Sequence, residues 1–336
     1  MTVRPELSVV LPYRDAEETL EEAVASVLEE RDVALELIAV DDGSTDRGPE
    51  LLASIAARDP RVRVVRTEPR GLVPALDLGL ELARAPFVAR MDADDVSLRG
   101  RFSRQLELLQ RDPRIAVVGC LVEAFPEGAV EGGLLRYVEW QNALLTPEDH
   151  ARERFVESPL CHPSVTMRLE AVREVGGYRE GPFPEDYDLF LRLASRGHAL
   201  AKVPFLGLRW RHSEGRLTFR DPRCSPEAIR RCKAPFLAEV IHRDPREFVL
   251  WGAGREGRRL ARELEAFGAI PARFVDIDPK KIGRTARGRP IGSAEGLRPD
   301  RAFVIAAVAS RGARAEIRAG LRARGFSEGE DFIFAA

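Results

Sequence analysis

Along the first hundred positions the order of apolar and polar residues switches between two periods. LSVVLP (7–12), LELIAV (35–40), VRVVR (62–66) and APFVARM (85–91) are short apolar runs with the length and composition of buried strands. Between them, apolar residues recur at helical spacing: Leu20, Val24, Val27 and Leu28, then Leu51, Leu52, Ile55 and Ala56, then Leu72, Leu76, Leu80 and Ala83. Asp15, followed three residues later by Glu18, predicts a capping box at the first of these helices. Strands alternating with helices predict crossover units and a mainly parallel sheet flanked by helices. Residues 121–160 lose this regularity and suit an insertion or a lobe over a site, and 213–245 read as connecting material with helical propensity. Near 246 the alternation resumes with EFVLW, a helix carrying Leu260, Leu264 and Phe267, ARFVDID, RAFVIAAV, a helix through 311–324 and a closing DFIFA. The expected organisation is a domain at 1–220, a helical linker at 221–245 and a smaller βαβ domain at 246–336.

Composition narrows the class. A chain of 336 residues, 44% of them apolar, is long enough for two domains with ample core. Its 52 basic and 54 acidic residues leave a net charge of -2, without the basic stripe of a nucleic-acid binder. Four scattered cysteines (Cys120, Cys161, Cys224, Cys232) form no CxxC pair and suggest neither a disulfide framework nor a zinc cluster. No apolar run reaches the ~20 residues needed to span a bilayer, and the N-terminus lacks a signal peptide's apolar stretch. A soluble cytoplasmic protein is expected, any membrane contact being peripheral at the inner face. Only four of the basic residues are lysine (202, 233, 280, 281), so no single arginine is informative by itself.

The candidate chemistry sits just after the strands, where the ligand crevice of an open parallel sheet lies. Asp41-Asp42-Gly43-Ser44 follows one strand and Asp92-Ala93-Asp94-Asp95 another. The second is a D-x-D, which offers hard oxygen ligands of the kind Mg²⁺ or Mn²⁺ takes alongside water and phosphate. Asp is common in turns after strands for purely local reasons. Two such clusters on successive parts of one sheet outweigh that explanation.

SVVLPYRDAEETLEEAVASVL, AVDDGSTD, PRGLVPALDLGLELARAPFVARMDADD, HPSV, GGYRE and PEDYDLFLRLASRG, in that order, resemble the family 2 glycosyltransferases over roughly residues 5–220. The resemblance implies a GT-A fold, a nucleotide-diphosphate sugar donor, a divalent metal and inversion at the anomeric centre. Carried over by residue, it implies that Pro12, Tyr13 and Arg14 line the nucleotide pocket, with Asp41 facing the base and Asp42 beside it. Asp92 would lie near the ribose or sugar and Asp94 would hold the metal. In Glu185-Asp186, Asp186 matches the general base that deprotonates the acceptor hydroxyl. His212 falls where some GT-A enzymes place a late histidine near the metal or diphosphate. The acceptor would be a saccharide, a lipid-linked saccharide or a protein.

The division of labour makes chemical sense. A sugar hydroxyl is a poor nucleophile and needs a carboxylate to take its proton as it attacks. The diphosphate leaves with accumulating negative charge, which a cation stabilises. Each residue also has a plainer explanation. Glu185, Asp186 and Asp188 open a helix, where acids favour the macrodipole. His162 and His212 could be packed or surface residues. Arg209 and Arg211 could reach diphosphate or be solvated. Asp77 stands where the family often has Asn, which leaves its polar role open.

A second glycine-rich motif, Gly252-Ala253-Gly254-Arg255-Glu256-Gly257, follows a strand and opens a helix, with Asp276 and Asp278 after the next strand. This is the context of a Rossmann-like dinucleotide fingerprint and makes Gly252, Gly254, Gly257 and Asp276 a candidate nucleotide site. The same glycines serve tight turning and close helix packing. The segment is also short for a two-half dinucleotide domain, which weighs against NAD(P) there. An oxidoreductase or nucleotide sensor centred on this motif is the alternative reading. The linker or the C-terminal domain could support a homodimer.

Overall fold

The computed structural model describes residues 4–126, 132–212, 221–310 and 312–336. The chain divides into two compact units. The first comprises Met1–His150, Pro159–Gly181 and Glu185–Asp221, and the second Ala151–Ser158, Pro182–Pro184 and Pro222–Ala336.

In the first unit the elements run β1 (Leu7–Tyr13), α1 (Leu20–Leu28), β2 (Leu35–Asp42), α2 (Gly48–Ala56), β3 (Val62–Thr67), α3 (Leu72–Leu82) and β4 (Phe87–Arg90). They continue with β5 (Val96–Ser97), α4 (Arg101–Arg111), β6 (Ile115–Phe125), α5 (Gly132–Asn142), α6 (Pro147–Glu153, its last three residues counted with the second unit), β7 (Thr166–Arg168), α7 (Leu169–Glu174), α8 (Glu185–Ser195) and β8 (Ala199–Arg211). Eight strands form one sheet in the order β3-β2-β1-β4-β7-β6-β8-β5. β1 to β4 run parallel, as do β6 and β8, while β7 lies antiparallel between β4 and β6. The segment 121–160 is more regular than its sequence suggests, holding the end of β6 and two helices.

β1 is buried at every position, and its side chains divide between the two faces with period two. Leu7, Val9 and Leu11 join Leu20, Val24 and Val27 of α1 in one apolar cluster. Val10 points the other way, with Ile38, Val40, Leu76 and Leu80, and with Leu189 and Leu193 of α8. Each such leucine contributes about 1.5–3 kcal/mol on burial. Helices on both faces leave the strand ends and their following turns as the places where polar groups gather.

The predicted capping box does not form. α1 begins at Leu20, and Thr19 before it makes no side-chain capping bond. Asp15 adopts a positive φ of 48°. Its Oδ1 accepts the Thr45 N–H at 2.8 Å and the Thr45 hydroxyl at 3.2 Å. Glu17 is used in the same way, accepting the Arg47 N–H at 3.0 Å while its own N–H donates to Asp46 at 2.7 Å. The acids ahead of α1 therefore tie the turn after β1 to the turn after β2.

The second unit contains α9 (Pro226–Arg243), β9 (Glu247–Trp251), α10 (Arg255–Glu265), β10 (Arg273–Val275), β11 (Thr285–Ala286), β12 (Arg289–Gly292), β13 (Ala302–Ala306), α11 (Ala313–Arg322) and β14 (Phe332–Phe334). Its sheet has the order β11-β12-β10-β9-β13-β14, parallel except for the β11–β12 hairpin. Of the stretch read as connecting material with helical propensity, 213–220 lie outside the described residues and Pro226–Arg243 form an 18-residue helix. Pro226 is its first residue, and Ser225 caps it by accepting the Ala228 N–H at 3.2 Å. Trp251 is buried in the apolar cluster of this sheet and serves packing. Among the described residues, no helix is long and apolar enough to cross a membrane.

Candidate active site

The turn after β2 fixes two adjacent carboxylates for different tasks. Asp41 is completely buried. One of its oxygens accepts the Ser44 N–H at 2.8 Å and the other faces the Arg66 Nε at 3.3 Å. Arg66 also donates to the Ser44 carbonyl at 2.9 Å, so it spans Asp41 and Ser44 while its side chain stays 61% exposed. Asp42 accepts the main-chain N–H groups of Arg70 at 2.6 Å and Gly71 at 2.9 Å. It thereby anchors the entry to α3, and the Arg14 guanidinium stands 3.9 Å away. Tyr13 ends β1, buried, its hydroxyl pushed up by burial and by the Asp41 charge. Pro12, Tyr13, Arg14, Asp41 and Asp42 thus come together at the paired ends of β1 and β2, where Tyr13 lies opposite Asp41. Sequence reasoning missed Arg66, which in an arginine-rich chain carries no local signature.

The turn after β4 holds the acidic cluster. Asp92, Asp94 and Asp95 each place a carboxylate oxygen within 4.8 Å of the others, a hard-oxygen donor set for a divalent cation. Asp92 is ion-paired to the buried Arg90. Asp95, completely buried, accepts the Arg211 N–H at 2.7 Å. The Arg211 Nε donates to the Asp94 carbonyl at 2.6 Å, and the Thr19 hydroxyl donates to the Ala93 carbonyl at 2.9 Å. Arg211 is therefore a clamp on this turn. Arg209 is paired with Glu123 at 3.5 Å, and both arginines lie against the ring of Phe125. His212 is the next residue after Arg211, with its N–H donated to the Phe125 carbonyl at 2.7 Å. It is not a member of the acidic cluster.

A third group forms at the start of α8. Asp186 is half-buried, and burial together with the neighbouring Glu185 charge raises its pKa to about 7. The Tyr187 N–H at 2.8 Å and the Arg90 charge oppose that rise without cancelling it. His162 hydrogen-bonds the Tyr178 hydroxyl at 2.8 Å and approaches Glu185 at 3.7 Å. Burial holds its pKa well below the usual histidine value, so the ring is neutral. Asp77 accepts the Tyr178 N–H at 2.9 Å and so tethers the GGYRE turn to α3. An Asn carbonyl can accept that bond equally well, which resolves the polar role the sequence left open.

The glycine-rich loop of the second unit closes on itself. Gly252 has φ of 118°, and a Cβ there would lie 2.7 Å from the Ala307 carbonyl oxygen. A Cβ on Gly257 would lie 1.8 Å from the Gly252 carbonyl oxygen, whereas one on Gly254 would meet nothing within 4 Å. Asp276 accepts the N–H groups of Ala253 and Asp278, each at 2.9 Å, and the Lys281 ammonium at 3.0 Å. Burial would raise its pKa, but these three donors together hold it below the usual range. Two of the three glycines and the acid therefore have structural tasks inside the unit.

An eight-stranded, mainly parallel sheet with acidic turns at its strand ends, and a DADD turn among them, defines a GT-A glycosyltransferase fold. The fold is similar to that of the mannosyltransferase PcManGT from Pyrobaculum calidifontis in complex with GDP-Man and Mn²⁺, with a TM-score of 0.51 at 21% identity over 79% of this chain and 70% of that one. Residues 8–176 match the sequence model of Glycosyl transferase family 2. The chain is 31% identical over 200 residues to the amylovoran biosynthesis glycosyltransferase AmsE of Erwinia amylovora, covering 58% of this chain and 71% of AmsE. It is 26% identical over 196 residues to the UDP-Gal:alpha-D-GlcNAc-diphosphoundecaprenol beta-1,3-galactosyltransferase of Escherichia coli, 57% of this chain and 69% of that one. The protein belongs to the family 2 glycosyltransferases.

Proposed function

We propose that the first unit transfers a sugar from a nucleotide-diphosphate sugar to an acceptor hydroxyl, inverting the anomeric carbon, with Mg²⁺ or Mn²⁺ at the diphosphate. The observation that carries this reading is the presence of two carboxylate groups of opposite character. One is a cluster of acids with converging oxygens. The other is the half-buried Asp186, beside Glu185, with its pKa raised to about 7. A hard cation suits the first group, and a general base working near neutrality suits the second.

In this mechanism Asp94 would hold the cation, with His212 as a further candidate ligand. A bound divalent cation supplies Lewis-acid stabilisation to the departing diphosphate. Pro12, Tyr13, Arg14 and Asp41 seat the nucleotide, with Arg66 as a displaceable cap over Asp41. Asp42 supports that seat through the main chain of Arg70 and Gly71. Asp92 orients the ribose or sugar. Asp186 takes the proton of the attacking hydroxyl, and Glu185 keeps its basicity high. The anomeric carbon gains oxocarbenium character as the bond to phosphate lengthens. A single displacement needs the base on the face opposite the leaving group, so no enzyme nucleophile is required.

The E. coli relative's name specifies a diphosphoundecaprenol-linked acceptor, and AmsE is named for amylovoran biosynthesis. By analogy we assign this protein to cell-surface glycan or polysaccharide synthesis, with a saccharide acceptor, lipid-linked in the first instance. The test is isothermal titration of a panel of nucleotide sugars with and without Mn²⁺, with NAD(P) as a control. Binding of a nucleotide sugar that chelation weakens is the expected result. If no nucleotide sugar binds and NAD(P) does, the reading fails in favour of a sensor or oxidoreductase.

A further inference from the structure

Arg90 is a buried cation next to the acidic turn, where Asp92 and Asp95 both act on it. It ends β4 and is only 4% exposed. Its N–H donates to the Val165 carbonyl at 3.0 Å, and its own carbonyl accepts from the Arg101 guanidinium at 3.0 Å. Arg101, completely buried on α4, donates at 2.6 Å to the Pro163 carbonyl as well. The main chain of Arg90 is thereby locked to the His162–Ser164 turn. A guanidinium so placed is costly unless carboxylates compensate it. Asp92 does so directly, and Asp95 adds to the attraction.

We propose that Arg90 is a positioning residue of the transfer reaction, fixing the Asp92 carboxylate on the donor side while its charge, set against the His162–Ser164 turn that approaches Glu185 at 3.7 Å, serves the Glu185-Asp186 pair on the acceptor side as counter-cation. The inference rests on the roles assigned to Asp92 and Asp186 above. Asp186 is acted on by Glu185 beside it on α8, by the Tyr187 N–H that it accepts and by Arg90 from β4, and its own charge bears on the buried Tyr178 hydroxyl of the preceding turn. Glu185 opposes its ionisation and Arg90 favours it. His162, which approaches Glu185, is neutral and adds no charge. Two ionised carboxylate groups serving one small substrate repel each other, and a shared buried cation lowers that cost at both ends. A planar, permanently charged guanidinium can hold one carboxylate in a fixed direction while its charge reaches a second.

Two substitutions separate the two halves of the role. Arg90→Gln removes the charge, and Arg90→Lys keeps it but loses the fork. Donor affinity is read by titration with Mn²⁺, kcat and KM by nucleotide release, and the pH profile of kcat from pH 5 to 9. Arg90→Gln is expected to weaken donor binding about tenfold or more and to move the acid limb upward by about one pH unit. Arg90→Lys is expected to restore the limb but not the donor affinity. A purely structural role would lower the melting temperature and the active fraction while leaving the donor Kd and the limb unchanged, and that result overturns the proposal. Should Arg90→Gln fail to fold, Arg90→Lys alone decides, since unchanged donor affinity there overturns it. Failure of the underlying assignment looks different, because the wild-type protein itself would then bind no nucleotide sugar.

Discussion

The turn after β2 and the turn after β9 are built alike, yet they offer a ligand different things. Each follows a buried parallel strand and turns on a glycine with positive φ. A Cβ at Gly43 would lie 2.7 Å from Pro69, and one at Gly252 the same distance from Ala307. The difference lies in the partners of the acids. Asp276 is held by two main-chain N–H groups and a lysine from within its own unit. Asp41 gives one oxygen to Ser44 but faces the other toward Arg66, a mostly exposed side chain that a ligand can displace. Asp42, bound to the N–H groups of Arg70 and Gly71, behaves like Asp276 rather than like its neighbour. A glycine fingerprint thus reports how a backbone closes, whereas the partners of the adjacent acid report whether anything is left to bind.

The sharpest way to break this comparison is to remove an acid from each unit. Asp186→Asn is expected to lower kcat by about 10²–10⁴ while donor affinity stays within a few-fold. Asp276→Asn should leave kcat within about twofold and show itself in the melting temperature instead, through weakened bonds to Ala253 and Lys281. Loss of transfer in the Asp276 variant would mean that the second loop takes part in the reaction.

The pH profile is the next test in size. A base must be ionised to act, and the pKa of Asp186 is raised to about 7. Transfer should therefore fall about tenfold per pH unit below that value and level off above it. Stability runs the opposite way for this group, because the folded state binds its proton more tightly than the unfolded chain does. Its contribution is fully present at low pH and is lost as pH rises through about 7. An enzyme whose rate and melting temperature rise together through neutrality would contradict the assignment.

Glycine substitutions sharpen the structural half of the comparison. Gly257→Ala forces a Cβ onto the Gly252 carbonyl and should destabilise the second unit by about 1–3 kcal/mol, read by thermal denaturation. Gly254→Ala meets nothing and should be nearly neutral. Neither should alter the donor KM. The smallest effect is expected at Asp77→Asn. Burial raises the Asp77 pKa, so its ionisation is unfavourable in the fold, while the bond to the Tyr178 N–H needs only a carbonyl acceptor. That variant should keep its activity and melt at an equal or slightly higher temperature near neutral pH, the gain vanishing at acid pH.

Much of the first unit was legible from the chain. β1 to β4 and the three helices between them lie where apolar spacing predicts them, because each element shows one face to a core and the pattern repeats that geometry. The acidic turns were legible for a related reason, since strand ends are where an open sheet gathers ligands. The capping box of Asp15 and Glu18 failed because Asp15 is engaged by Thr45, thirty residues away, and α1 begins only at Leu20. The stretch 121–160 looked irregular because α5 buries only Val138 and Gln141 and α6 is a helix of seven residues, so little apolar period marks either. Arg66 was missed because nothing next to it in the chain marks it out, whereas Arg90 and Tyr178 lie inside quoted motifs and only their contacts with Asp92 and His162 show their part.

The scarcity of lysine tells the same story. Along the chain it read only as a bias toward arginine. In the fold, Lys233 is buried and donates at 2.8, 3.2 and 2.9 Å to the carbonyls of Phe155, Val156 and Ala335. A compact ammonium with three donors can meet such converging carbonyls, and a planar fork cannot. Lys202, also buried, donates to the Gln141 carbonyl.

The sequence by itself determined the alternating elements, the corners where acids collect and the family to which they belong, because local periodicity and turn chemistry are written in neighbouring residues. Tertiary structure alone decided which acid is satisfied and which is poised. The burial of Asp186 and the nearness of its carboxyl to Arg90 depend on α8 and β4 coming together, and only packing does that.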